Sequence, residues 1–134
     1  MKANEHSLIM PGKDVAEWRK RITDLLIRRK LYRDIDYSAS MMAKDLGLSP
    51  SALSRLLRSA MGCCYADLVN SHRVKDARKM LANNKYQRYT VDEIGLMVGF
   101  RNRQSFFTAF TKHVSTTPQK FRDENSKIGQ TINP

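Results

Sequence analysis

Two stretches of the sequence place hydrogen-bonding side chains on one face of a predicted helix. In the first stretch, positions i, i+3, i+4 and i+7 share a polar face that consists of Ser51, Ser54, Arg55 and Arg58. The second stretch has a similar face, which follows Arg101, Asn102 and Arg103 and consists of Gln104, Ser105, Thr108, Thr111 and Lys112. Side chains of these types can bind the edges of nucleic-acid bases and phosphate oxygens.

Arg55 and Gln104 are the strongest candidates for base contacts. An arginine can donate two hydrogen bonds to guanine O6 and N7, and a glutamine can pair in two directions with adenine N6 and N7. The neighbouring candidates for base contacts are Ser51, Ser54, Arg103, Ser105 and Thr108. The candidates for phosphate contacts, which fix position without reading sequence, are Arg58, Arg101 and Lys112. The alternative for each of them is an ordinary solvated helix face.

Charge and length limit the possible partners and the possible size of the core. The chain of 134 residues has 24 Lys and Arg against 13 Asp and Glu, which gives a formal net charge of +11 and favours an anionic partner. Nucleic acid is the first choice, and an acidic membrane face, an acidic protein or a merely basic surface are the alternatives. A chain with 41% hydrophobic residues can bury one modest core or two small lobes.

An internal repeat carries the two polar faces. Ser38 is the predicted N-cap of a short helix that ends at Leu46, before Gly47, and Ser49-Pro50 then opens a second helix. The pattern returns after a capping box that runs from Thr90 to Glu93. Ser38 corresponds to Thr90 at a shift of 52 residues, whereas Leu53 corresponds to Phe106 at a shift of 53. A helix, a glycine turn and a second helix are the outline of a helix-turn-helix, here present twice.

The remaining segments are predicted to flank and join the two copies. A first helix runs from Asp14 to near Tyr32 with Trp18 in the core, and a helix from Tyr65 to Leu81 has one buried side and a basic outer side. The predicted divisions are an N-terminal arm or linker (1–13), the first helix with the first helix-turn-helix (14–63), a linker helix (64–84), the second helix-turn-helix with a final short helix (85–125) and a flexible tail (126–134). The expected fold is all-α with about seven helices.

Several motifs in the two copies together resemble one known family. In the second copy they are Ile94-Gly95-x-x-Val98-Gly99-Phe100, Phe106-x-x-Ala109-Phe110-x-Lys112 and Thr117-Pro118-x-x-Phe121-Arg122. Before it stand Met42-Ala43-x-x-Leu46-Gly47-Leu48-Ser49-Pro50, Leu53-x-Arg55, Gly62, Arg73 and Ala77. These residues resemble the DNA-binding domain of AraC/XylS-type bacterial transcription regulators. The resemblance implies two helix-turn-helix subdomains joined by a long helix, with two recognition helices in successive major grooves of double-stranded DNA.

Five positions depart from the usual pattern of that family. The chain has Gly95, Ser105, Phe107 and Thr108 where the family usually has Ala, Tyr, Ser and Arg, and it has Ser115 near an expected glycine. Gly95 should preserve close helix packing at about 1 kcal/mol of lost helix propensity. Thr108 removes a basic side chain from the second recognition face. Phe107 lies at the edge of the buried arc, where exposure would mark a protein contact.

The sequence leaves two rival functions open. AraC-type domains also occur beside DNA-repair modules that use a cysteine as methyl acceptor, and Cys63 and Cys64 are candidates by type only. His6, His72 and His113 form no cluster in the sequence, so neither a metal nor another cofactor is expected, and no enzymatic activity is expected. The second rival is a basic helical module for a protein or an acidic membrane.

The setting is expected to be cytoplasmic. The sequence contains neither a signal peptide nor an apolar run long enough to span a bilayer, and the adjacent residues Cys63 and Cys64 suit a reducing compartment. RNA polymerase is a candidate second partner of an activator of this type. Sensing and dimerisation are expected in a region outside these residues. The unpatterned start and the extra helix from Asp14 favour excision from a longer regulator over a compact stand-alone regulator.

Overall fold

The computed structural model describes the backbone of residues 12–132 and the side chains of residues 15–126. Within that range, seven α-helices form and no strand does. They are α1 (Gly12–Arg28), α2 (Ala39–Asp45), α3 (Pro50–Ala60), α4 (Tyr65–Leu81), α5 (Val91–Met97), α6 (Arg103–Val114) and α7 (Pro118–Ile132), with 3-10 helices at Leu31–Arg33 and Asn84–Tyr86. The prediction of an all-α fold with about seven helices is confirmed. Most of the predicted N-terminal arm, residues 1–11, lies outside the described residues.

The chain divides into two compact units with separate cores. Unit 1 comprises residues 1–69 and unit 2 comprises residues 70–134, so the division falls within α4. Each unit contains one helix-turn-helix, formed by α2 and α3 in unit 1 and by α5 and α6 in unit 2. The two copies of the repeat therefore fold around cores of their own.

The core of unit 1 is formed by α1, α2 and α3 with the first turns of α4. Trp18 and Ile22 of α1 are buried in one cluster with the leucines of α3, which confirms the prediction that Trp18 is a core residue. Arg19 Nε donates to the Ala60 carbonyl oxygen at 3.0 Å, which ties α1 to the C-terminal end of α3. A hydrogen bond of 3.0 Å from the Tyr65 hydroxyl to the carbonyl oxygen of Tyr37 fixes the start of α4 on the same unit.

The core of unit 2 is built around phenylalanine rings in tilted and edge-on contact. Phe106 and Phe110 of α6 are fully buried among apolar residues of α4 and α5. Phe121 of α7 packs edge-on against Phe110, with ring centroids 5.6 Å apart. Arg122 Nη2 donates to the Tyr86 carbonyl oxygen at 2.8 Å, so α7 is also held to the loop that precedes α5. These contacts place the outward face of α6 on the side away from Phe106 and Phe110.

Three predicted helix limits were wrong. The first helix begins at Gly12 and ends at Arg28 rather than near Tyr32, because Lys30 adopts a left-handed conformation (φ 49°) and a 3-10 turn follows. The final helix was predicted to be short and to precede a tail from 126 onward, but α7 continues to Ile132. No proline or glycine cap stands between Phe121 and Ser126 to end it. Residues 133 and 134 lie outside the described residues.

Candidate nucleic-acid interface

The first helix-turn-helix is set by local hydrogen bonds that the sequence encodes. Ser38 Oγ accepts from the Met41 N–H at 3.2 Å and begins α2. The Leu48 N–H donates back to the Ala43 carbonyl oxygen at 2.8 Å, a bond that closes the end of α2 while Gly47 takes φ 72°. The turn thus requires a residue that tolerates the left-handed region, which is why glycine stands there.

The second helix of this unit opens at Ser49 and Pro50. Ser49 Oγ accepts from the Ala52 N–H at 3.2 Å, and Pro50 occupies the first helical position, where no backbone N–H is needed. The cap and the turn therefore set the start of α3, and the phase of the helix decides which of its side chains face the solvent.

The second helix-turn-helix repeats the first almost bond for bond. Thr90 and Glu93 form a capping box, with Glu93 N–H to Thr90 Oγ1 at 3.0 Å and Thr90 N–H to Glu93 Oε1 at 2.8 Å. The Phe100 N–H donates to the Gly95 carbonyl oxygen at 3.0 Å, 52 residues beyond the matching bond from Leu48. Asn102 caps α6 as Ser49 caps α3, which is a shift of 53 residues. The predicted repeat, including its one added residue, is confirmed.

Each second helix has one buried and one exposed side. On α3 the buried residues are Ala52, Leu53, Leu56, Leu57 and Ala60, and the exposed candidates are Ser51, Ser54, Arg55 and Arg58. On α6 the buried residues are Phe106, Ala109 and Phe110, and the exposed candidates are Gln104, Ser105, Thr108 and Lys112. Arg101 and Arg103 are also exposed, just before α6 and at its first position. The structure thus places the predicted site residues on or just before the exposed face of the second helix in each unit.

The head group of Arg103 is held by two neighbours. Its Nη1 lies 3.2 Å from Asp92 Oδ2 of α5, and its guanidinium carbon lies 4.5 Å from the centre of the Phe107 ring. Phe107 is half-buried and packs edge-on against Phe106, so it is not the fully exposed contact that the sequence had allowed. Asp92 was missed because a contact between two helices, eleven residues apart in sequence, leaves no periodic signal.

Gly95 allows α5 and α6 to approach closely. A Cβ at this position would lie 2.5 Å from Phe106 Cδ2, 2.8 Å from its Cγ and 3.2 Å from its Cβ. Distances of this size are well inside the ordinary contact range between carbon atoms. The glycine at position 95 is therefore required by the buried Phe106 ring opposite it, because an alanine there would be too close to that ring.

Burial shifts the pKa of two side chains, Cys63 and His72. Burial, with smaller effects of Cys64 and Asp67, raises the pKa of the Cys63 thiol, which disfavours the nucleophilic thiolate. Burial also lowers the pKa of His72, and the charge of Lys75 acts in the same direction. Among the residues that the structure describes, no group of three or more His, Cys, Asp or Glu side chains could hold a metal ion. None of the described helices is both long and apolar enough to cross a membrane.

Comparison with curated sequences finds transcription regulators. The family profile described as "Helix-turn-helix domain" matches residues 42–124. The "Probable transcription factor PqrA" of Proteus vulgaris is 29% identical over 107 residues, which cover 78% of this chain and 85% of that protein. The xylose operon regulatory protein of Escherichia coli K12 is 28% identical over 62% of this chain but only 20% of its own length. The chain thus spans most of the first relative and about a fifth of the second.

Comparison with solved structures finds the same fold. The C-terminal domain of AraT, a response regulator from Geobacillus stearothermophilus, is 25% identical with a TM-score of 0.66, and the match covers 82% of this chain and 84% of that one. The C-terminal domain of the response regulator yesN from Fusobacterium nucleatum gives a TM-score of 0.69 over 79% of this chain and 98% of that one, at 24% identity. The profile match covers more than half of the chain and coincides with the doubled helix-turn-helix, so the chain belongs to the AraC-type family of helix-turn-helix transcription regulators.

Proposed function

We propose that this chain binds double-stranded DNA sequence-specifically as a transcription regulator, with α3 and α6 as recognition helices in successive major grooves. The observation that carries the proposal is the matched pair of helix-turn-helix units, each with a second helix whose exposed face has arginine, glutamine or hydroxyl side chains. The net charge of +11 supports an anionic partner, since phosphate neutralisation supplies much of the affinity of DNA-binding proteins. Selection of bound sequences from a random duplex pool tests the proposal and yields the operator.

Arg55 and Gln104 are the proposed principal base contacts. Both are exposed on the outer faces of their helices. Arg55 has two donors that match guanine in the major groove, and Gln104 has a donor and an acceptor that match adenine. Truncation of either to alanine is expected to cost about 1–3 kcal/mol of binding free energy and to relax the preference at one base pair. Arg58→Ala is the matched control for Arg55→Ala, because it removes the same side chain from the same helix.

The control is expected to weaken all sequences alike, whereas the two base-contact variants change the selected sequence. An unchanged sequence preference in both Arg55→Ala and Gln104→Ala would refute the assignment of these two side chains.

The other exposed candidates complete the two proposed faces. The proposed secondary base contacts are Ser51, Ser54, Ser105 and Thr108. Their hydroxyl groups can donate or accept a hydrogen bond, and the methyl group of Thr108 can also contact thymine. The proposed phosphate contacts, all of them exposed, are Arg58, Arg101 and Lys112. A phosphate contact fixes the register of the recognition helix on the duplex and leaves the choice of sequence to the base contacts.

We propose that the chain has no enzymatic activity. The AraC-type family is a class of DNA-binding regulators rather than of enzymes. The raised pKa of Cys63 argues against this thiol as a methyl acceptor, because the thiolate is the reactive form. A methyl-transfer assay on alkylated DNA is expected to show no transfer to the wild-type protein. Transfer that is lost on replacement of Cys63 or Cys64 by serine would overturn this part of the proposal.

The rival reading as a basic module for a protein or an acidic membrane makes a different prediction. Specific DNA binding by this chain should weaken steeply as salt rises and should depend on sequence. A module for another acidic partner would bind duplex DNA without sequence preference or not at all.

The proposed setting is the cytoplasm, where the duplex target is accessible. RNA polymerase is the proposed second partner on the same DNA, and dimerisation is proposed to depend on a region outside these residues. Sedimentation of this chain alone is expected to give the mass of a monomer of about 15.4 kDa. A stable dimer in the absence of DNA would contradict the proposed location of the dimerisation region.

A further inference from the structure

Asp92, Arg103 and Phe107 form a small, partly exposed cluster at the start of α6. Arg103 is the first residue of α6, and Asp92 lies in the first turn of α5. The ion pair between Arg103 Nη1 and Asp92 Oδ2 measures 3.2 Å, and the two side chains are 67% and 47% exposed. The guanidinium also covers the face of Phe107 at 4.5 Å. The arginine head group is thus fixed both at one edge and on one face.

This cluster contributes little to folding. Ion pairs between exposed side chains stabilise proteins only weakly, because water screens the charges and two long side chains lose conformational freedom. A cation at the first position of a helix is also disfavoured by the positive end of the helix dipole. The countercharge of Asp92 offsets that repulsion, so the pair holds Arg103 at a place where an arginine alone would move freely or point elsewhere.

The edge of the Arg103 guanidinium that Nε and Nη2 form makes no hydrogen bond within the part of the chain that the structure describes. A guanidinium has five N–H donors, of which the ion pair uses one at Nη1. Among the residues that the structure describes, none hydrogen-bonds to Nε or Nη2 of Arg103. These two groups donate side by side and match the two acceptors, O6 and N7, of a guanine in the major groove. The contact of the guanidinium carbon with the Phe107 ring, at 4.5 Å from its centre, is a second restraint on the head group and hence on this edge.

We propose that Asp92 and Phe107 are positioning residues that orient Arg103 to read a guanine, so that Arg103 determines specificity at one base pair next to the one read by Gln104. This inference rests on the proposed function of α6 as a recognition helix. Asp92 itself carries the same sign of charge as DNA and does not bind it. Its effect on sequence preference passes through the orientation of Arg103, because a preorganised side chain loses less freedom when it binds.

The test is selection from a random duplex pool with the wild-type protein and the variants Asp92→Asn, Arg103→Lys and Gln104→Ala. Asp92→Asn keeps the size of the side chain and removes the charge, while Arg103→Lys keeps the charge and removes the planar fork. Both are expected to lower the preference for guanine at the same base pair by about fivefold or more, the lower end of what one bidentate contact contributes. Preference at the base pair that Gln104→Ala alters should stay as in the wild type.

Asp123→Asn is the matched control for charge, because it removes one exposed carboxylate from the same unit without touching α5 or α6. It is expected to leave the sequence preference unchanged. Because Asp92 also lies in the first turn of α5, its carboxylate interacts favourably with the helix dipole, and the midpoint of thermal unfolding of Asp92→Asn should fall by about 1–8 °C, which leaves the protein folded during the selection.

Two outcomes would overturn the inference. One is an unchanged preference at every base pair in Asp92→Asn. The other is a uniform gain in affinity for all sequences, which would mean that Asp92 acts only as a negative charge near the phosphates. Failure of the proposed function would look different, since the wild-type protein itself would then select no sequence and Gln104→Ala would alter nothing.

Discussion

Replacement of Gly95 by alanine should destabilise the second helix-turn-helix, even though alanine is the better helix former. In an exposed helix this change would stabilise the protein by about 1 kcal/mol. Here the new methyl group would lie 2.5 Å from Phe106 Cδ2 and 2.8 Å from Cγ. The ring cannot easily move away, since its centroid lies 5.2 Å from that of Phe100 and 5.7 Å from that of Phe110.

The magnitude follows from these two opposing effects. Overpacking of a close-packed core costs about 1–3 kcal/mol, and contacts this short with the root of an anchored ring place Gly95→Ala in the upper half of that range. Subtraction of about 1 kcal/mol for the gain in helix propensity leaves a net loss of about 1–2 kcal/mol. For a unit of this size, the midpoint of thermal unfolding should fall by about 5–15 °C. Calorimetry or circular dichroism measures this shift.

A double-mutant cycle with Phe106→Ala isolates the cause. Alanine removes Cγ and Cδ2, the two atoms of Phe106 that would lie nearest to the new methyl group, so Gly95→Ala should become neutral or mildly stabilising in that background. The reasoning would be refuted if Gly95→Ala alone were as stable as the parent, or if its cost were the same with alanine at position 106. Either result would mean that α5 and α6 can separate without loss, and that the close approach does not fix the helix-turn-helix.

Three further predictions concern a helix end, a titratable side chain and a phosphate contact. Ser115 adopts φ 66° at the end of α6, so Ser115→Gly should raise the free energy of unfolding by about 0.5–1 kcal/mol, and an unchanged or lower value would contradict the strain. Burial lowers the pKa of His72, so below about pH 6.5 the histidine binds a proton more readily in the unfolded chain than in the folded one. The wild type should therefore lose stability as the pH falls from about 7.5 to about 5.5. In His72→Gln this loss, measured by denaturant unfolding, should be smaller. Arg58→Ala and Lys112→Ala should each lower the slope of log affinity against log salt by about one, and an unaltered slope would argue against a phosphate contact.

Much of the fold was predictable because its determinants are local. The caps at Ser38, Ser49 and Thr90 and the left-handed Gly47 act within one or two turns, so that their residue types predict where helices begin and end. The helical period then separates buried from exposed residues, which is why both recognition faces could be predicted. The assignment of DNA contacts to those faces stays a prediction.

The features that sequence did not predict depend on contacts between elements or on a single backbone conformation. The apolar period of α1 continues through Leu31 and Tyr32, and only the left-handed Lys30 shows that the helix has already ended. Tyr65 is half-buried, and its hydroxyl donates to the Tyr37 carbonyl oxygen, a contact between separate elements that the helical period does not predict. The ion pair of Asp92 with Arg103 joins two helices and has no signature in either.

Hydroxyl-radical footprinting of the chain on its selected duplex tests the central claim most directly. If both α3 and α6 read DNA, protection should appear in two segments about one helical turn, or about 34 Å, apart. Arg55→Ala and Gln104→Ala should each weaken a different segment. Protection confined to one segment in the wild type, or loss of the same segment in both variants, would contradict the account.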